Sequence, residues 1–194
     1  MGHEARARLH STIGGGGGVT ASMERIELLA APASDEDVRD LTELLVEAVD
    51  SGASVSFLAP LPPAEAEAWW RGTIGKIDDG AIILVARDDE GIAGSVQVHP
   101  AWAPNQPHRA DIAKLIVRKR ARGRKLGVRL MLAAEEAARA RGFTLLVLDT
   151  VPGGAAERLY RGMGWTAIGT IPGYALDPFG AVCDTVVFYK KIAR

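Results

Sequence analysis

LIVRKRARGRKLGVRLM, residues Leu115 to Met131, runs from an apolar segment through a basic loop holding Gly123 and Gly127 into a helical pattern. The first N–H groups of a helix have no partner inside it, and the aligned peptide dipoles add to their pull on an anion. Glycines there let a phosphate approach the backbone closely. Seven of the twelve residues from Arg118 to Arg129 are basic, a density suited to a ligand with several phosphates or to a solvated helix face. The buried strand in front and the embedded glycines favour the phosphate reading. The loop has no Gly-Lys-Ser/Thr ending and no G-x-G-x-x-G, so neither a Walker A site nor a dinucleotide fingerprint is indicated.

Working outward, Arg109 to Val117 reads as the strand that feeds the loop, and a helix follows from Lys125 to Arg141. Leu126, Leu130, Ala134, Ala137 and Ala138 share one side of it, and Gly142 ends it. Thr144 to Leu148 is short and apolar, as in a strand buried on both faces, so strand, helix and strand make a parallel βαβ crossover. A short helix at 154–163 and strands at 165–171 and 182–189 finish the chain. Upstream, a strand at 26–30 precedes a capping-box-like Ser34-Asp35-Glu36-Asp37. Val38, Leu41, Leu44, Leu45, Ala48 and Val49 then recur at helical spacing. Pro60, Pro62 and Pro63 break the chain before a second helix at 64–76, and strands at 81–86 and 92–99 form a hairpin. The proline-rich loop from Pro100 to Pro107 carries Trp102, either a substrate-binding ring on a pocket wall or a ring packed on its own loop. The order β-α-α-β-β-β-α-β-α-β-β predicts an α/β fold with one mixed, mostly antiparallel sheet flanked by helices.

The length of 194 residues suits one domain. Residues 1–22, with five glycines from Gly14 to Gly18 and few large apolar side chains, are expected to be a disordered tail, leaving 23–194 as the domain. A net charge of −1 argues against wholesale nucleic-acid or membrane binding. Cys183 is alone, so no internal disulfide forms and a reducing, cytoplasmic setting is expected. The four histidines have no ligand-like spacing, and no metal is assigned.

The loop resembles the signature of the GNAT family of N-acetyltransferases, a strand ending in Val followed by R-x-x-G-x-[GA] opening a helix. Val117 ends the strand, and Arg122-Gly123-Arg124-Lys125-Leu126-Gly127 occupies the signature. Leu159-Tyr160 before Gly164-Trp165 is similar to the family's second landmark. Lys125 stands at the family's middle glycine, where a positive φ would be strained. Gly153 replaces an asparagine common seven residues before the tyrosine. The stretches HRADIAKLIV and GGAAERLY look closest to the branch that includes tabtoxin-resistance acetyltransferases.

The resemblance implies that acetyl-CoA is the cosubstrate. Amides of residues 122–127 (Arg122, Gly123, Arg124, Lys125, Leu126, Gly127) would hold its pyrophosphate, and the edge of Leu115, Ile116 and Val117 would pair with its pantetheine arm. The acceptor amine, with a pKa near ~10, must lose a proton, which makes a carboxylate useful. Asp111 and Asp149 are the candidates, as base or substrate contact. Asp149 at the carboxyl end of a buried strand is independently typical of a site, whereas Asp111 could equally be a solvated strand residue. Tyr160 matches the family's general acid for the departing thiolate, with core packing as its alternative. The expected partner is a small-molecule amine, amino-acid-like or an antibiotic or toxin, on a monomer or homodimer. A protein lysine or N-terminal acetyltransferase, a coenzyme-A sensor without turnover, and a nucleic-acid binder using the basic loop are the competing readings.

Overall fold

The computed structural model describes residues 24–193. The expected tail 1–22 and the start of the domain at Met23 lie outside them. Ser34 Oγ accepts from Asp37 N at 3.1 Å, satisfying one of the first free donors of helix α1 (Asp35–Asp50), whose opening turn is acidic. All six residues of the sequence stripe are buried, packed with Ala66 and Trp70 of α2 (Pro63–Ile74). Pro63 begins α2, where its missing N–H costs nothing.

Both helices cover one face of a seven-stranded sheet in the order β1-β2-β3-β4-β5-β7-β6. The strands are β1 (Arg25–Leu28), β2 (Ile82–Asp88), β3 (Gly91–Pro100), β4 (Arg109–Val117), β5 (Leu145–Thr150), β6 (Thr166–Leu176) and β7 (Val182–Lys191). Helix α3 (Leu126–Ala140) buries Leu126, Leu130, Met131, Ala134 and Ala138 on the opposite face. Helix α4 (Ala155–Gly162) sends Tyr160 into that same core. The element order is the expected one, and only ends differ. β6 runs on to Leu176 through Gly173, which takes φ +61 at an irregular register with β7. β5 extends to Thr150, so Asp149 lies within the strand.

Two irregularities of β4 position the site. Its parallel pairing with β5 comprises only Arg109↔Leu145, Ala110↔Leu146 and Asp111↔Val147, after which the strands part. On its other edge, Ser95↔Ile116 is followed by Gln97↔Ala113, so Lys114 and Leu115 oppose Val96 alone. This is a β-bulge, and Lys114 takes φ +52 within it.

Candidate active site

The parting of β4 and β5 opens two joined clefts. One, of about 490 Å³, is walled by Leu115, Ile116 and Val117, the loop residues Arg122, Gly123, Lys125, Leu126 and Gly127, and Ala155, Ala156 and Leu159 on α4. The other, of about 620 Å³, lies between the 51–56 segment, the middle of β4, Asp149 to Val151, and Tyr160. Ala53, Leu115, Arg122, Ala155 and Ala156 border both, so the two are continuous.

The first cleft is built from backbone. Gly123 has φ +79, Lys125 has φ +60 and ψ +18, and α3 starts at Leu126 without a side-chain cap. The first helix-opening amide with a backbone partner is Arg129 N, which donates to Lys125 O at 3.1 Å. The amides of residues 123–128 are therefore free to bind an anion, and this is the fit that a pyrophosphate requires. A Cβ on Gly127 would approach Leu159 Cδ1 to 3.1 Å, so glycine there lets α3 and α4 close behind the loop. A left-handed lysine is the strained position anticipated from the signature.

Most of the basic side chains serve another purpose. Arg118 donates to the Ile92 and Asp40 carbonyls, each at 2.9 Å, and meets Glu43 and Glu47. Arg120 pairs with Asp88, and Arg129 bonds Glu24 at 2.7 Å. Of the seven cations from Arg118 to Arg129, Arg122 and Lys125 line the first cleft. Arg124 points instead toward Glu24, 3.7 Å away. The charge run thus mainly ties the loop to α1, β2, β3 and Glu24 just before β1.

The second cleft is built from side chains. Asp149 is exposed on its wall, with Oδ2 accepting from the buried Thr185 hydroxyl at 2.8 Å. Tyr160 is 6% exposed, and burial, with Asp149 adding to it, pushes its phenol up to about 12. Lys114 points across the cleft mouth to Val55 O (2.6 Å) and Ser56 Oγ (3.0 Å). Burial pulls its ammonium down to about 8, against the opposing influence of Asp149.

Asp111 occupies the last β4–β5 pair before the strands part, outside both linings. Burial raises its carboxyl, opposed by Arg109, which donates to it at 2.9 Å, and by His99 opposite on β3. His99 in turn lies 2.8 Å from Gln97 Oε1, and burial lowers its pKa. Trp102 is 91% exposed on its loop and borders neither cleft. Asp149 and Tyr160 are thus brought to one wall, Asp111 stands behind them, and Trp102 stays apart. Lys114, Ser56 and Thr185 are site residues that the sequence reading passed over. A lone lysine inside the otherwise apolar IAKLIV, residues 112–117, was the available signal.

Among the described residues no helix is long and apolar enough to cross a membrane. The acetyltransferase (GNAT) family matches residues 42–165. An uncharacterized N-acetyltransferase of Azospirillum brasilense is 36% identical over 130 residues, 66% of this chain and 74% of that protein. The L-methionine sulfoximine/L-methionine sulfone acetyltransferase of Pseudomonas paraeruginosa is 30% identical over 149 residues, 74% of this chain and 85% of its own. A phosphinothricin acetyltransferase from Sinorhizobium meliloti, solved with acetyl-CoA, shares the fold at TM-score 0.72 and 21% identity, covering 89% of this chain and 90% of that one. Family match, relatives and the free-amide loop at the parted strands agree: this chain belongs to the GNAT family of N-acetyltransferases, whose acetyl donor is acetyl-CoA.

Proposed function

We propose that the acceptor is the primary amine of a small molecule, with Asp149 and Tyr160 as the working groups. The observation that carries this reading is the second cleft, whose volume of about 620 Å³ is that of a small-ligand pocket and whose wall offers a carboxylate and a phenol together. The amino-acid-like substrates in the names of a relative and a structural neighbour, L-methionine sulfoximine, L-methionine sulfone and phosphinothricin, agree with that scale.

Acetyl-CoA supplies an acetyl group on an electrophilic thioester with a thiol as leaving group. On this reading the 123–128 amides and Arg122 hold the pyrophosphate, Leu115 to Val117 offer a free strand edge to the arm, and a β4 amide polarises the carbonyl. Asp149 receives the acceptor's ammonium and passes its proton to water. A carboxylate is a far weaker base than an alkyl amine, so Asp149 orients and relays instead of holding the proton. Thr185 fixes the carboxylate for that task. Asp111, farther back, is a second stop for the proton. Tyr160 remains protonated at neutral pH and donates to the departing sulfur. Against a thiol of pKa ~8.5, full transfer from a phenol at about 12 would cost on the order of 5 kcal/mol, so hydrogen-bond donation is its main contribution.

The test is thiol release from acetyl-CoA across a panel of small amines and amino-terminal or lysine peptides. Turnover confined to small amines supports the proposal. Faster turnover of peptides replaces it with the protein-acetyltransferase reading, and tight coenzyme binding without turnover replaces it with the sensor.

A further inference from the structure

Lys114 has no part in the chemistry above, yet it is an expensive residue to keep where it is. The bulge turns it out of the strand's alternation and aims it at the second cleft. Val55 O and Ser56 Oγ accept two of its three N–H donors, and the rings of Phe57 and Trp69 lie 5.6 and 5.4 Å from Nζ. The carboxylate that acts on it is Asp149, by charge alone and beyond hydrogen-bond reach. A desolvated ammonium without a bonded carboxylate is costly, and an apolar side chain would pack against those two rings without that cost. Its remaining donor and its charge are therefore available to something that enters the cleft.

We infer that Lys114 selects the acceptor, binding the carboxylate or other acid group of an amino-acid-type substrate while Asp149 takes its ammonium. The inference rests on the small-amine reading and sharpens it. Four charged residues border the cleft: Asp177 accepts from the Phe179 and Ala181 amides and Arg122 donates to Val117 O beside the coenzyme cleft, which leaves Lys114 and Asp149 as the opposed pair. A zwitterion matches both, whereas a simple amine leaves Lys114 unanswered and is repelled by it. Charge-assisted bonds of this kind are strong enough to set specificity.

The experiment compares α-amino acids with their methyl esters and decarboxylated amines, in the wild type and in Lys114→Met and Lys114→Arg. The wild type is expected to prefer the free acids, even though an ester's amine is less basic and so more often unprotonated. Lys114→Met should lower kcat/KM on the acids about 10- to 100-fold, mostly through KM, and change the esters by less than about 3-fold. Lys114→Arg should keep part of the preference. Unchanged acetyl-CoA affinity by calorimetry certifies the fold of each variant. Equal treatment of acids and esters by the wild type, equal losses on both in Lys114→Met, or turnover only of amines without an acid group overturns this inference alone. No turnover of any amine overturns the small-amine reading and this inference with it.

Discussion

The two joined clefts are made of different material. The cleft proposed for the coenzyme is main chain: free amides, a glycine at φ +79, a lysine at φ +60, and a strand edge that β5 has left. The cleft proposed for the acceptor is side chain: Tyr160, Asp149 with the Thr185 hydroxyl, and Lys114 with the Ser56 hydroxyl. A backbone site binds what every family member binds and depends on φ and ψ. A side-chain site can be retuned one residue at a time, and it is where substrate choice resides.

That contrast predicts how mutations divide. The largest effect is expected from Tyr160→Phe, which should lower kcat by about 100- to 1000-fold while leaving acetyl-CoA affinity within about 2-fold. Steady-state kinetics beside calorimetric titration would check it, and an unaltered kcat would remove Tyr160 from the chemistry. Asp149→Asn should cost about 10- to 100-fold in kcat/KM for the amine, again without loss of coenzyme binding. A matching loss in coenzyme affinity would break the division between the clefts. Thr185→Val tests the support of that carboxylate and should cost less, about 3- to 10-fold.

Stability gives the next measure. Because burial lifts Tyr160 from 10 to about 12, the native state holds that proton more tightly than the unfolded chain does. Its contribution is therefore full below pH 10 and lost as pH rises through 12. Urea unfolding at pH 9 and pH 11 should show a fall in the wild type exceeding that in Tyr160→Phe by about 1 kcal/mol. Equal falls would place the phenol in contact with solvent.

The smallest expected effects lie on the backbone side. Lys125→Gly relieves a left-handed side chain and should raise stability by up to about 1 kcal/mol, or Tm by about 2–4 °C, with coenzyme affinity equal or tighter. Gly127→Ala should do the reverse, weakening acetyl-CoA binding several-fold as its methyl meets Leu159.

The same division explains what could be read from the chain alone. Glycine spacing, the Ser34 cap and the α1 stripe are local, so the turn that opens α3 and the element order were legible without a fold. Lys125 could even be named as the strained position. The acceptor side depends on register. That Thr185 meets Asp149 needs the β5–β7 pairing, and that Lys114 reaches Val55 needs the bulge that β4 makes against β3, a matter of register between strands. The basic run misled in a different manner. Charge density looked like ligand binding, but Arg118, Arg120 and Arg129 find partners on elements distant in sequence. Trp102 carried no periodic pattern, and its loop leaves it in solvent.

The early parting of β4 and β5 has a thermodynamic consequence. After three pairs the sheet forgoes further ladder bonds along this seam, and of the groups there Val117 O accepts from Arg122 Nε at 3.1 Å. A linear ligand bearing amides that lies in the seam restores the missing ladder from outside the chain. On the proposed reading the cosubstrate acts as a removable strand, and fold stability rises with its free concentration L as RT ln(1 + L/Kd). Hydrogen exchange at residues 112–117 should slow on adding coenzyme A, and a rise in the melting temperature should accompany it.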